Sequence, residues 1–171
     1  PSPETPFATA LRAAAKQYGM RWLGPQSAGL QVPRLALNAS WMQSMPPAGK
    51  VALVSQSAAV AASAVSWAAA RDIGFSAVVT VGDGAGVDVP ELMDQLGADG
   101  KTQAVLLYLS RISDGRKFIA SARSLARFKP VVVLWTDSPV EPARDDRPAV
   151  DHNDVCKAAF HRSGLLQVGE I

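Results

Sequence analysis

Lys50-Val51-Ala52-Leu53-Val54-Ser55-Gln56-Ser57-Ala58-Ala59 runs from an unbroken apolar tract through a short polar turn into an alanine-rich stretch reaching Arg71. The apolar tract reads as a buried strand and the alanine-rich stretch as a helix beginning at Ser57. Val51 to Ala70 contains no charged residue, which raises the question of a membrane span. Ser55, Gln56, Ser57, Ser63 and Ser66 interrupt it, and Ala outnumbers Leu. Strand, turn and buried helix account for it better than a span.

The same alternation continues downstream. Ala77 to Val81 reads as a strand that leads into the loop Gly82-Asp83-Gly84-Ala85-Gly86. A helix follows from Asp88, where Asp88 and Glu91 have capping-box spacing and Val89, Leu92, Met93 and Leu96 form the buried face. Ala104 to Leu109 is the next strand. Phe118, Ile119, Ala122, Leu125 and Ala126 then keep the spacing of an amphipathic helix over about 116–128. Pro130 to Trp135 is so apolar that both its faces must be covered, as in a parallel sheet. Residues 136–152 carry five Asp/Glu, three Pro and two Arg and read as a solvated loop. A helix over 154–163 and a strand over 165–168 close the pattern. The sum is a doubly wound, parallel α/β sheet of flavodoxin-like type.

Upstream, Phe7 to Tyr18 reads as a helix with Leu11, Ala14, Ala15 and Tyr18 on one face, ended by Gly19. Met20-Arg21-Trp22-Leu23 is expected to form a short strand, and 24–29 a turn. Pro33, Pro46 and Pro47 punctuate residues 30–49, which are expected to be connecting loop. The chain starts at Pro1 with neither an initiator Met nor a signal sequence, and is expected to be part of a longer polypeptide.

Composition limits the chemistry. In 171 residues, 17 Lys+Arg face 15 Asp+Glu without basic runs, which argues against a nucleic-acid surface. A 48% hydrophobic, 19% charged chain builds a globular core. One Cys and two His exclude an internal disulfide and any multi-thiolate zinc site, so no metal site is expected. The cytoplasm is the natural compartment.

Ligands of such sheets bind beyond the carboxyl ends of the strands, here the loops at 55–58, 82–88, 109–115 and 136–152. Ser55, Gln56, Ser57, Ala58 and Ala59 join a strand to a helix N-terminus, whose free N–H groups and positive dipole end suit phosphate. Ser57 is equally suited to capping that helix, and both roles are compatible. Gly82 to Gly86 is a flexible turn rather than a dinucleotide or Walker loop, since Val87 and Asp88 intervene before the helix and no Lys follows. Asp83 and Asp88 invite acid–base or metal roles, but capping accounts for Asp88. His152, His161 and Cys156 lack partners defined by spacing.

Lys50 to Ser57, Trp67-Ala68, Ile73-Gly74-Phe75-Ser76, Val81-Gly82-Asp83, Leu106-Leu107-Tyr108-Leu109, Asp114-Gly115-Arg116, Lys129 to Leu134 and Ala158-Ala159-Phe160 together form a wider pattern. It resembles the succinyl-CoA-ligase-like domain of ADP-forming acyl-CoA synthetases. The same architecture occurs at the N-terminus of bacterial protein lysine acetyltransferases. Gly24-Pro25 and Leu37-Asn38-Ala39 resemble the junction leaving a preceding CoA-binding Rossmann domain. The resemblance divides the chain into 1–29 (the end of that Rossmann domain, or a linker), 30–49 (a connecting loop) and 50–171 (the ligase-like domain). It places Gly24, Pro25 and Gln26 near CoA.

Active synthetases of this family carry phosphate on a His in a Ser-His-Thr-Gly-like loop before the Ala-Ala-Phe helix. Here, counting back from Ala158 reaches Asp145, and counting forward from Trp135 reaches Ala149. The Glu that orients the imidazole is replaced by Ser110, which supplies no negative charge. Ala58 stands where the family has Gly, and Gln26-Ser27 where the junction usually reads Asn-Cys. The resemblance therefore implies no catalytic residue here, and a silent acetyl-CoA-sensing or scaffold region of a protein lysine acetyltransferase. The alternative is a phosphoryl-transfer domain of an ADP-forming acyl-CoA synthetase using His152. Other domains of the longer chain, acyl-CoA or CoA and protein lysines are the implied partners. The resemblance implies acetyl-CoA or CoA as ligands of the longer chain and leaves room for ATP there, with no cofactor held by this segment. A plain flavodoxin or receiver module is disfavoured, because Asp83 has no acidic companion nearby in sequence.

Overall fold

A computed structural model describes residues 6–136 and 152–168. Helix α1 (Pro6–Gln17) is followed by the strands β1 (Gly29–Val32) and β2 (Leu37–Ser40), joined by a 3-10 turn at Pro33–Leu35. Then come β3 (Ala48–Ser55), α2 (Ala58–Ala69), β4 (Phe75–Thr80), α3 (Val89–Ala98), β5 (Ala104–Leu109) and α4 (Gly115–Ala126). The described chain ends with β6 (Val131–Trp135), α5 (His152–Arg162) and β7 (Leu166–Val168). One seven-stranded sheet has the order β2-β1-β4-β3-β5-β6-β7. The five strands β4, β3, β5, β6 and β7 pair in parallel, as the apolar runs predict. The hairpin β1–β2 adds antiparallel to β4.

Because side chains alternate along a strand, β3 feeds two separate cores. Ala52 and Val54 point to one face, where Val105, Leu107, Val131 and Val133 meet Met93 of α3, Phe118 and Leu125 of α4 and Phe160 of α5. Phe160 is fully buried and packs edge-on against Phe118 and Trp135, with ring centroids 5.8 and 5.6 Å away. Leu53 points to the other face and packs with Phe75 and Val78 under Ala61, Val65 and Ala68 of α2. Three helices thus cover one face and α2 the other, which is the doubly wound arrangement. Lys129 closes the end of α3 from below. Its ammonium donates to the carbonyls of Leu96 (2.5 Å) and Asp99 (2.6 Å), which the helix itself leaves without partners.

Two expectations are corrected. Residues 30–49 are not a plain connecting loop: they hold most of the hairpin and the first residues of β3. Gln31 is fully buried there: its side-chain nitrogen donates to Ser44 O (2.8 Å) and Ser40 Oγ (3.3 Å), while its Oε1 is buried with no partner among the described residues. Met20 to Leu23 form no strand. Trp22 gives its carbonyl to Val87 N–H (2.9 Å) and joins no ladder, because this segment packs against the loop after β4. Among the described residues no helix is long and apolar enough to cross a membrane. Except for Thr136 and the backbone of His152, the expected loop at 136–152 lies outside the described residues, as do Asp145 and Ala149.

Candidate functional site

The carboxyl ends of β3, β4 and β5 meet at one edge of the sheet. β3 runs straight into α2 through Ser55-Gln56-Ser57, and the three residues have different tasks. Ser55 is fully buried; its hydroxyl donates to Ser57 O (2.7 Å) and accepts from Ser57 N–H (3.1 Å), fixing the turn. Ser57 is the N-cap, with its side chain accepting from Val60 N–H (3.3 Å). Four N–H groups at a helix start lack helical partners. Ser55 and Ser57 between them satisfy the amides of Ser57 and Val60. Among the described residues the amides of Ala58 and Ala59 donate to no such partner, and α2 has no acidic residue in its first turn. This turn is therefore left, among the described residues, with two unpaired donors and a positive dipole end that no acid compensates.

Gln56, expected to contact an anion, is instead committed to the chain. Its carbonyl oxygen accepts from Ser110 N–H (2.8 Å), Arg111 N–H (3.0 Å) and Ser110 Oγ (3.3 Å), while its amide donates to Arg111 O (2.8 Å). It staples the loop after β5 to the β3–α2 turn. Ser110 spends both its N–H and its hydroxyl on Gln56. Arg111 then reaches the loop after β4, donating from Nη2 to Asp83 O (2.8 Å). Together these loops line a cleft of about 70 Å3 that includes Gln56, Gly84, Asp88, Arg111, Ser113 and Phe118.

The junction segment and the glycine loop, read separately from sequence, pack against each other. Gly82 has φ +58°, and a Cβ there would lie 2.0 Å from Pro25 O. Gly24 is buried, and a Cβ on it would lie 2.4 Å from Asp83 Oδ1. Asp83 N–H donates to Pro25 O (3.2 Å), and Ser27 N–H to Gly24 O (3.2 Å). Ser27 and Thr80 lock the contact: Ser27 Oγ donates to Thr80 O (2.6 Å), and Thr80 Oγ1 accepts from Ala28 N–H (2.6 Å) and donates to Gly29 O (3.0 Å). Nothing in the sequence pattern announced that Ser27 and Thr80, 53 residues apart, share one network. Gln26 is exposed with φ +65°.

The two carboxylates that invited acid–base roles act locally. Asp83 Oδ1 accepts from Ala85 N–H (2.9 Å), a turn contact. Asp88 caps α3 by accepting from Glu91 N–H (2.9 Å), and its other oxygen pairs with Lys117 Nζ at 2.6 Å. Only half of the capping box forms, because the Glu91 carboxylate turns away to pair with Arg21. Asp114 caps α4, accepting from both Arg116 and Lys117 N–H at 3.0 Å. Cys156 is buried, and desolvation pushes its thiol up, out of the range of a ready nucleophile. His161 is exposed in the last turn of α5, and the side chain of His152 lies outside the described residues. Among the described residues no three His, Cys, Asp or Glu come together to hold a metal.

A family model described as the succinyl-CoA ligase like flavodoxin domain matches residues 48–171. The chain belongs to this family. The chain is 32% identical over 168 residues to the ADP-forming acetate–CoA ligase I of Archaeoglobus fulgidus, covering 94% of this chain and 24% of that protein. It is 34% identical over 164 residues to the alpha subunit of the ADP-forming acetate–CoA ligase I of Pyrococcus furiosus, covering 92% and 35%. Among solved structures, a protein from Pyrococcus horikoshii OT3 superposes with TM-score 0.82 at 32% identity, covering 95% of this chain and 34% of that one. The dinucleotide-forming acetyl-coenzyme A synthetase 1 of Ca. Korarchaeum cryptofilum, in complex with phosphate and ADP, does so with TM-score 0.79 at 30% identity, covering 95% and 36%. This domain thus spans about a quarter to a third of the length of the curated relatives it matches.

Proposed function

We propose that the chain is the succinyl-CoA-ligase-like domain of a longer ADP-forming acyl-CoA ligase-type polypeptide, receiving a phosphoryl oxygen at the amides of Ala58 and Ala59 without being phosphorylated itself. The observation that carries this reading is the pair of amides at the start of α2 without a partner among the described residues, with no acid in the first turn to compete. Two N–H donors and the dipole end stabilise a phosphate dianion. The α2 residues hold the anion, and the Gln56 staple keeps the loop after β5 at a fixed distance from it. A relative's structure in complex with phosphate and ADP supports the ligand class. The relatives' ligase names favour this setting over a protein lysine acetyltransferase. One observation favours the silent, acetyl-CoA-sensing alternative: Ser110 replaces the acid that would hold an imidazolium, and its polar groups are used up on Gln56.

CoA, and ATP where the longer polypeptide uses it, would be held mainly by neighbouring regions. The residues present fit CoA only sparingly. Gly24 and Pro25 have given their carbonyls to Ser27 and Asp83, which leaves the exposed Gln26 side chain as the group of the junction able to reach a ligand.

The test has two arms. In the 15N-labelled chain, inorganic phosphate and acetyl phosphate should shift the Ala58 and Ala59 amides saturably, and Ala59→Asp should abolish the shift by placing a carboxylate there. Unmoved amides would sink the anion site. In the second arm the full polypeptide is incubated with labelled ATP or acetyl phosphate. Stoichiometric acid-labile label on His152, lost in His152→Ala, would show that the domain carries phosphate after all.

A further inference from the structure

No basic run stands in the sequence, yet the fold gathers one. Helix α4 carries Arg116, Lys117 and Arg123 and no acid, and Arg127 is its C-cap. At about 100° per residue, Arg116, Arg123 and Arg127 fall within about 40° of one another round the helix, while Lys117 falls on the other flank, beside the α3 cap Asp88. The arginine flank is the one turned to α5. Arg123 Nε donates to Arg162 O (3.4 Å), and Ala126 Cβ stands 3.5 Å from where a Cβ on Gly164 would lie. α4 and α5 run side by side in the same direction, since each returns between two neighbouring parallel strands. Counted round α5 from the buried Cys156 and Phe160, Arg162 faces outward on the α4 side, and Lys157 and His161 fall on the far flank. The furrow between the two helices is thus edged by four exposed arginines, over a floor of small, half-buried residues that includes Ala126 and Ala159.

None of the four takes part in an ion pair among the described residues. The acid at the start of α4, Asp114, is spent on the backbone amides of Arg116 and Lys117. Like charges four residues apart on a helix, here Arg123 and Arg127, cost stability. A cation near a helix C-terminus recovers part of that cost from the dipole, which suits Arg123, Arg127 and Arg162. The dipole does not require that they share one furrow. It also opposes Arg116, which stands in the first turn of α4. A one-sided arginine row without acids fits a counter-charge supplied from outside the domain.

We propose that the α4–α5 furrow binds an acidic helix of a partner polypeptide, its carboxylates paired with Arg116, Arg123, Arg127 and Arg162. Three features select this occupant. The fork of a guanidinium donates two bonds at once to a carboxylate, so an all-arginine edge suits carboxylates better than a lysine edge would. From Arg116 to Arg127 the row is about 16 Å long, the length of about three helical turns, and acids at helical spacing stay in step with it. The alanine floor lets a third helix settle closely between two that are already packed. The furrow lies on other residues than the anion site at Ala58 and Ala59, and the proposal does not depend on that site.

The probe is an alanine-based helical peptide of about 18 residues with glutamates at i, i+4, i+7 and i+11, along one flank. Added to the 15N-labelled 171-residue chain at about 50 mM salt, it should shift amides of α4 and α5 saturably, and bind more weakly at about 300 mM. Arg116→Gln combined with Arg127→Gln should lower the affinity about tenfold. Lys16→Gln combined with Lys50→Gln removes the same charge from other exposed surfaces and should leave the affinity within about twofold. Equal losses in the two double variants would reduce the effect to net charge and overturn the proposal, as would an absence of shifts. So would equal binding of a peptide with the same glutamates scattered round its helix. An oligothymidylate bound more tightly at the same salt would assign the furrow to nucleic acid. Shifts that grow with protein concentration alone would assign it to a second copy, and either result overturns the proposal. Arg116→Gln alone gives a smaller form of the same readout if the double variant does not fold. The phosphate-dependent shifts of Ala58 and Ala59 do not enter this readout, so the two readings fail separately.

Discussion

The N-termini of α2 and α4 sit on adjacent loops of one sheet edge and are closed by different chemistry. At α4 the Asp114 carboxylate accepts from two amides and brings a full negative charge to the dipole end. At α2 the neutral Ser57 hydroxyl accepts from one amide at 3.3 Å. The α3 terminus resembles α4, with Asp88 as its cap and Lys117 at its side. A carboxylate cap stabilises a helix start and leaves little for an incoming anion; a hydroxyl cap stabilises it less and leaves it receptive. The difference teaches that the three helix starts are told apart by the charge of their caps, and not by which loop is richest in glycine.

If openness at α2 is a local property, damage to the junction should not remove it. Gly82→Ala puts a Cβ against Pro25 O at a positive φ and is expected to destabilise the domain by about 3 kcal/mol. Urea unfolding measures this, and phosphate should still shift the Ala58 amide in the folded fraction. Loss of the shift at concentrations where the fold persists would show that the junction shapes the anion site. Gln56→Ala removes four side-chain hydrogen bonds and is expected to lower stability by about 2 kcal/mol. Amide exchange of Ser110 and Arg111 should speed up more than that of the α2 core. Exchange unchanged in that loop would mean that Gln56 is no staple.

The caps themselves give the sharper pair. Asp114→Ala should cost about 1.5 kcal/mol and Ser57→Ala about 0.7 kcal/mol, since the first loses two bonds and a charge. Ser57→Ala should also leave phosphate binding in place, because Ala58 and Ala59 are untouched. Equal losses in thermal unfolding would erase the contrast between the two helix starts. The smallest effect is at Asp99. The N–H of Lys101, and then the Thr102 hydroxyl, hold its carboxyl below the ordinary value of 3.8 against the opposing effect of burial. A depressed folded-state value means stability that is present above the unfolded-state pKa and lost as pH falls through the folded one. Between about pH 5 and about pH 3 the urea midpoint should therefore fall more steeply in the native chain than in Asp99→Asn. Parallel slopes would refute this.

The parallel half of the sheet was legible because its strands are written in apolar letters: Val131 to Trp135 admit hardly any other reading. The hairpin at 29–40 was not, since Gln31, Asn38 and Ser40 carry polar side chains and Pro33 interrupts the run. The burial of Gln31 depends on partners such as Ser44, which periodicity does not reveal. At the site, the Ser57 cap followed from strand–turn–helix order. The role of Gln56 did not, because a glutamine beside a helix N-terminus reads the same whether it meets a ligand or the backbone of Ser110 and Arg111. Met20 to Leu23 misled for the opposite reason. Its apolar residues pack against the loop after β4, and such contact needs no strand.

The two edges of the sheet have a consequence for how the domain meets its surroundings. β2 has four residues and β7 three, and β2 is largely solvated. Edges so brief offer few unpaired peptide groups to a passing strand, which protects the domain from ribbon-like aggregation and strand exchange. Growth of the assembly by extending the sheet is thereby closed off. What the domain presents to other bodies is its broad surfaces, and its associations are governed by shape and side-chain chemistry, not by a ladder of backbone bonds.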